Sequence, residues 1–258
     1  GGHALQVLGL REKVERLYFH YLIAGFVELG QVANLRGGIA GNIDYTSRPE
    51  GEELVEEGAN MIFLNSYGYS EEVSELVNEY PDVTFYANSS EYHAENMTSY
   101  FARMYQARYL AGIVAGQKTK SDVIGYVAAM SNNEVNRGIS AFTLGVRSVN
   151  PEAEVVVAWT GDWDNEAEER EAAKRLVENA GADVLTYHQN QTNVIHMAEE
   201  LGVYSIGYHE ALENQSERYL MSVVCDWDMV YKELIKSFLN RINMKIICCT
   251  NKFIISYL

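Results

Sequence analysis

The side chains of this chain that could do chemistry gather in short polar stretches, each following a β-rich run. Asn65, Ser66 and Tyr67 follow residues 61–64, Asn88 follows 83–86, and Asn133 stands with Asn132 and Glu134 after 123–128. Asp162 and Trp163 follow 154–158, His188 follows 184–187, and His209 and Glu210 follow 204–207. Amides, hydroxyls and imidazoles hydrogen-bond a polar ligand, and an indole flanked by Gly161, Asp162 and Asp164 offers a flat face for stacking. In an open α/β sheet, ligands sit outside the carboxyl ends of the strands. Repeated polar loops there predict a cleft that grips something small.

Each of these residues also has a plain structural use. Ser and Asn cap helices, which would account for Asn65, Ser66, Asn132 and Asn133. Trp163 has packing against residues 165–180 as its alternative. His188 and His209 invite a metal or acid–base reading, because imidazole titrates near neutrality and ligates through a neutral nitrogen. A catalytic metal site needs three protein ligands, and no HExxH or comparable spacing occurs, so hydrogen bonding to a ligand or to neighbouring loops is the better reading. Asp162, Asp164 and Glu166 would suit acid–base work if their environments pushed their pKa values apart. They open a helix instead, where carboxylates meet the dipole favourably. No G-x-S-x-G, P-loop or GxGxxG run is present. The expectation is a non-enzymatic protein with no metal and no cofactor.

Composition narrows the partners. At 258 residues the chain suits two lobes, and 47% hydrophobic residues suffice for their cores. With 20 basic and 36 acidic residues the net charge is −16, which repels nucleic-acid backbones and acidic membrane surfaces alike. Cys225, Cys248 and Cys249 have neither CxxC nor paired spacing, so no disulfide framework or zinc site is signalled. No apolar run of about 18 residues occurs, and any leader segment removed beforehand would leave no trace.

The organisation predicts an α/β fold. Runs at 61–64, 83–86, 123–128, 154–158, 184–187 and 204–207 read as strands, and 50–57, 70–79, 134–149, 165–180, 193–201 and 227–239 as amphipathic helices. Ser70 and Asn165 are expected N-caps, and Gly181 and Gly202 expected stops. A further helix is predicted to open at Tyr100 and run through Gly112. Similar phrases at 58–63 and 181–185 suggest two related halves. Their border is placed near 118–121 with a return near 223–226, giving one lobe of 31–120 plus 226–240 and another of 121–225, joined by a hinge. Residues 1–30 carry no assignment. Residues 241–258, basic and without an acid, read as an aberrant or disordered tail that packs poorly.

Residues from about 50 to 234 resemble the basic membrane protein family, the substrate-binding lipoproteins of bacterial ABC importers. The likeness rests on residues 105–112 (YQARYLAG), 124–128 (IGYVA), 141–151 (AFTLGVRSVNP) and 161–164 (GDWD) followed by Glu169. It implies a type I periplasmic-binding-protein fold, two Rossmann-like lobes with parallel sheets closing on a purine nucleoside or nucleobase. It further implies an ABC permease as partner and an extracytoplasmic location, with the membrane met only through a lipid anchor outside these residues. Trp163 takes the place of the aromatic that stacks on the base. The two acids that hold ribose hydroxyls fall at Asn88 and His209, neither an aspartate here, with Glu210 next to the second. The family's first strand and its ligand loop belong before Gly30 and have no visible counterpart. Two alternatives remain: a ligand-sensing regulator of the same fold, and a nucleoside-processing enzyme using Asp162, His188 or Glu210.

Overall fold

Strand-length apolar runs separated by amphipathic helices build parallel sheets, because a helix can carry the crossover that a parallel pair needs. The structure, a computed structural model, describes residues 33–35, 38–40, 52, 54–56, 58–64, 74–90, 92–209, 212, 215–225, 227–239 and 246–249. The expected sites at Asn65, Ser66, Tyr67 and Glu210, the cap at Ser70, and residues 1–30 lie outside them. The chain divides into two units, one of Gly1–Ala102 with Trp227–Cys249, the other spanning Arg103–Asp226.

The first unit holds an antiparallel pair, β1 (Ala33–Leu35) with β2 (Gly38–Ala40). Its main sheet comprises β3 (Met61–Leu64), β4 (Thr84–Asn88), β5 (Met97–Ala102) and β11 (Ile246–Cys249), all parallel in the order β11-β5-β4-β3. Helices α1 (Ser74–Glu79) and α6 (Trp227–Leu239) belong to the same unit. Alternation along β3 sends Ile62 and Leu64 to one face, against Leu76, Val77 and Phe85, and Met61 and Phe63 to the other, against Tyr100, Val230 and Leu234.

The second unit runs α2 (Met104–Lys118), β6 (Val123–Ala128), α3 (Asn133–Val149), β7 (Glu154–Trp159), α4 (Glu166–Glu178), β8 (Val184–His188), α5 (Asn193–Leu201), β9 (Tyr204–Tyr208) and β10 (Tyr219–Val223). Its five strands are parallel in the order β10-β9-β8-β6-β7. Asn132 caps α3, its Oδ1 accepting from Val135 N at 2.9 Å, and Asn165 caps α4 through Glu168 N at 3.2 Å. Gly202 ends α5 in the left-handed region at φ 71°. The Asp183 carboxylate pins the loop before β6 by accepting from Thr119 Oγ1 at 2.6 Å, Lys120 N at 2.7 Å and Ser121 N at 3.0 Å. Burial pushes its pKa up, and these bonds outweigh that and hold it below the ordinary value.

Three sequence expectations change. Tyr100 does not begin a helix, because residues 97–102 pair with β4 and Tyr100 sets its ring among Phe63, Trp227 and Tyr231; the helix starts at Met104. The border between units falls at Arg103 and not near 118–121, since α2 packs along α3 within the second unit. Ile246–Cys249, assigned to a poorly packed tail, pairs in parallel with β5.

The α2–α3 contact depends on two glycines. A Cβ at Gly112 would stand 2.0 Å from the Phe142 carbonyl oxygen, and one at Gly145 2.0 Å from that of Tyr109. Backbone cannot yield as a flexible side chain does, so Gly145→Ala is expected to destabilise the protein by about 3 kcal/mol. A urea midpoint equal to that of the parent would refute this packing.

Candidate ligand-binding site

Four loops at the carboxyl ends of β6, β7, β8 and β9 carry the candidate residues of the second unit. After β7, Thr160 N donates to Ala128 O at 3.0 Å and Gly161 N to Ala129 O at 2.9 Å, which carries the β6 pairing into the loop. Gly161 turns the chain at φ 77°, a conformation open to glycine without strain. Thr160 Oγ1 then accepts from Gln189 Nε2 at 2.7 Å and donates to Asp162 O at 2.8 Å, while Asn190 N donates to Trp163 O at 3.0 Å. The backbone of Trp163 is thereby held by the loop after β8 as well as by its own.

Trp163 is half-buried, and its ring meets that of His188 edge-on at 5.9 Å between centroids. Tyr208 lies against His188 at 4.3 Å and against His209 at 4.0 Å. Trp163, His188, Tyr208 and His209 therefore form one row across the ends of β7, β8 and β9. Nε2 of His188 is 2.8 Å from Tyr208 Oη and 3.4 Å from Glu134 Oε1. Burial lowers the pKa of His188; Arg108 lowers it further and Glu134 opposes the change, so the ring is neutral at pH 7. Tyr208 is raised by burial and by Glu134 and stays a phenol.

Beneath the row lies Arg108, fully enclosed, giving Nη1 to Thr186 Oγ1 at 3.2 Å and Nη2 to Tyr187 O at 2.6 Å. Its guanidinium stacks 4.1 Å from the Tyr208 ring centre and 5.3 Å from that of Tyr126. Arg108, Tyr126 and Tyr208 are absent from the candidates read off the sequence. Arg108 does leave a signal, a cation on the helical stripe of Met104, Ala107, Ala111 and Ala115, all of which are buried.

The other candidates stand in different settings. His188, expected to meet a ligand, is 3% exposed, with Nε2 committed inside the protein; its place between strands β6 and β9 encloses it. Asn133 is exposed at the start of α3, where Asn132 does the capping. Asp162 is exposed, and its Oδ1 accepts from Asp164 N at 3.1 Å. His209 is exposed at φ 64°, its N–H donating to Val223 O at 2.8 Å. In the first unit Asn88 ends β4 with a buried Oδ1 that has no partner among the described residues, just before Ser89 at φ 54°. Among the described residues no group of three or more His, Cys, Asp or Glu is placed to hold a metal ion, and no helix is long and apolar enough to cross a membrane.

Glu169, at the start of α4, is fully enclosed; its Oε2 accepts from Asn193 Nδ2 at 3.0 Å and its Oε1 has no partner among the described residues. Burial pushes its pKa from 4.5 up to about 6, against the pull of Asn193 and the Asn165 backbone. The folded chain thus holds a proton that the unfolded chain releases between those values, and stability falls as pH rises through that window. Glu169→Gln is expected to gain stability relative to the parent from about pH 4 to about pH 7. Urea midpoints whose difference does not vary with pH would contradict this.

The family described as ABC transporter substrate-binding protein, PnrA-like, matches residues 31–245. TsgA13 of Haloferax volcanii, whose name carries a glucose-binding assignment, is 36% identical over 72% of this chain and 48% of its own length. A purine-binding protein of Brucella abortus is 32% identical over 73% of this chain and 54% of its own. The chain spans about half the length of these two relatives. A solved structure of a transcriptional activator of the comK gene from Bacillus halodurans superposes with a TM-score of 0.66 at 25% identity, covering 78% of this chain and 70% of that one. Sugar-transport and LacI-type structures share the architecture alone, and the fold is the type I periplasmic-binding-protein fold.

Proposed function

The chain belongs to the Bmp family of PnrA-like ABC transporter substrate-binding proteins, and on that premise we propose that it is a receptor for a purine nucleobase or nucleoside. Proteins of this family are non-enzymatic receptors, which sets aside nucleoside processing by Asp162, His188 or Glu210. The receptor works outside the cytoplasm and hands its ligand to an ABC permease, with a lipid anchor outside residues 1–258. The observation that carries the ligand reading is Trp163, a half-buried indole whose backbone is fixed from two loops at the carboxyl ends of the strands. A planar heterocycle is the ligand such a surface stacks best, and an uncharged imidazole edge beside it adds no charge for a neutral base to offset. Asp162 and His209 are the hydrogen-bonding candidates on the same unit as Trp163. The Brucella relative named for purines supports this choice over the Haloferax relative named for glucose, because stacking serves a purine face more fully than a sugar's.

A second reading has its own support. The Bacillus halodurans structure is that of a transcriptional activator, so a ligand-sensing regulator using the same ligand face is the alternative. Loss of purine uptake on deleting the gene supports the transport reading; altered transcription with uptake intact supports the sensor.

Isothermal titration with adenine, guanine, hypoxanthine, their nucleosides and glucose tests the ligand. A purine is expected to bind and glucose is not; silence from every purine would sink the proposal. Trp163→Ala should weaken purine binding roughly ten- to hundredfold, the size of one base-stacking contact.

A further inference from the structure

The polar groups beneath the aromatic row leave a remainder that ligand binding does not use. Nε of Arg108, Oη of Tyr126 and Nδ1 of His188 are all buried with no hydrogen-bond partner among the described residues. They converge on one place. The point where a side chain would begin on Gly138 lies 3.6 Å from His188 Nδ1, 3.6 Å from Tyr126 Oη and 3.9 Å from Arg108 Cγ, with Arg108 Nε two bonds further along the side chain. Gly138 is buried within α3, so the space beside it is shielded from bulk solvent, and two of its three nearest atoms are polar. Buried donors and acceptors left bare are costly, and a small polar cavity with two to four partners is where proteins hold an internal water.

We propose that one water molecule is bound in this cradle, accepting from Tyr126 O–H and Arg108 Nε–H and donating to His188 Nδ1, and that it fixes His188 as the tautomer protonated at Nε2. Electrostatics sets the direction. The Glu134 carboxylate, 3.4 Å from Nε2, favours a proton there and leaves the lone pair on Nδ1. The Nε2–H then points at Tyr208 Oη and Glu134, and both ring nitrogens are engaged inside the protein. His188 is on this account a positioning residue: its ring edge steadies Trp163 at 5.9 Å, and the bound water holds the ring in place. The site does not depend on which ligand the receptor takes.

The test needs no ligand, so failure of the purine reading and failure of this one are separable. In isotope-labelled native protein, long-range proton–nitrogen correlations of His188 are expected to show the Nε2–H pattern, and a long-lived water should give nuclear Overhauser contacts to Gly138. An Nδ1–H pattern, or no such water, overturns the proposal. Gly138→Ala provides a test of sign. A methyl there meets only ordinary contacts, and alanine inside a helix is ordinarily more stable than glycine. Without the water the variant should therefore melt higher than the parent. With it, the methyl evicts the water and strands three polar atoms, so the variant should melt lower and the His188 correlations should shift. A higher melting temperature overturns the proposal, and if the variant does not fold, the spectra of the native protein decide.

Discussion

A guanidinium shut inside the second unit is the constraint on which its candidate ligand face rests. Arg108 leaves α2, bonds Thr186 and the Tyr187 carbonyl on β8, and stacks on Tyr208 of β9 and Tyr126 of β6. One side chain thus joins a helix to three of the five strands. Enclosing a cation costs several kcal/mol unless hydrogen bonds and polarisable faces replace its water, and these contacts supply both. The helix comes close enough to deliver Arg108 because Gly112 and Gly145 let α2 and α3 meet backbone to backbone. The aromatic row of Trp163, His188, Tyr208 and His209 lies on this support.

The polar loops divide their labour in a way their composition does not reveal. Asn132 and Asn165 are spent on helix starts, and Thr160 and Gln189 on fastening one loop to the next. Side chains without such a task, among them the Asn88 amide in the first unit and the Trp163 indole in the second, remain the candidates for ligand contact. A residue's position after a strand marks the end of the sheet at which it lies, while its hydrogen bonds decide whether it is available.

Much of the fold was legible because period and punctuation agree. Residues 193–201 and 227–239 carry apolar side chains at helical spacing and form helices with those bounds, and the expected cap at Asn165 and stop at Gly202 occur. Residues 100–102 misled because Tyr, Phe and Ala read as the start of a helix, and pairing of 97–102 with β4 made them strand. Tyr219–Val223 escaped notice because it follows β9 after a loop with little punctuation, and its partner is known only once the sheet exists. In the site, the order of strands was needed to see that His188 is walled in by its neighbours and that Arg108 lies under Tyr208. Tertiary burial, which no local pattern encodes, set both.

The division of the chain also bears on how the protein is made. All of the second unit between Arg103 and Asp226 is continuous, so every strand of its sheet has been synthesised before the ribosome reaches α6. The first unit's main sheet lacks its edge strand until Ile246–Cys249 has emerged, and one face of β3 waits for Val230 and Leu234. A chain that ended just after Asp226 would hold every strand of the second unit, while apolar surface of the first unit stayed open to chaperones.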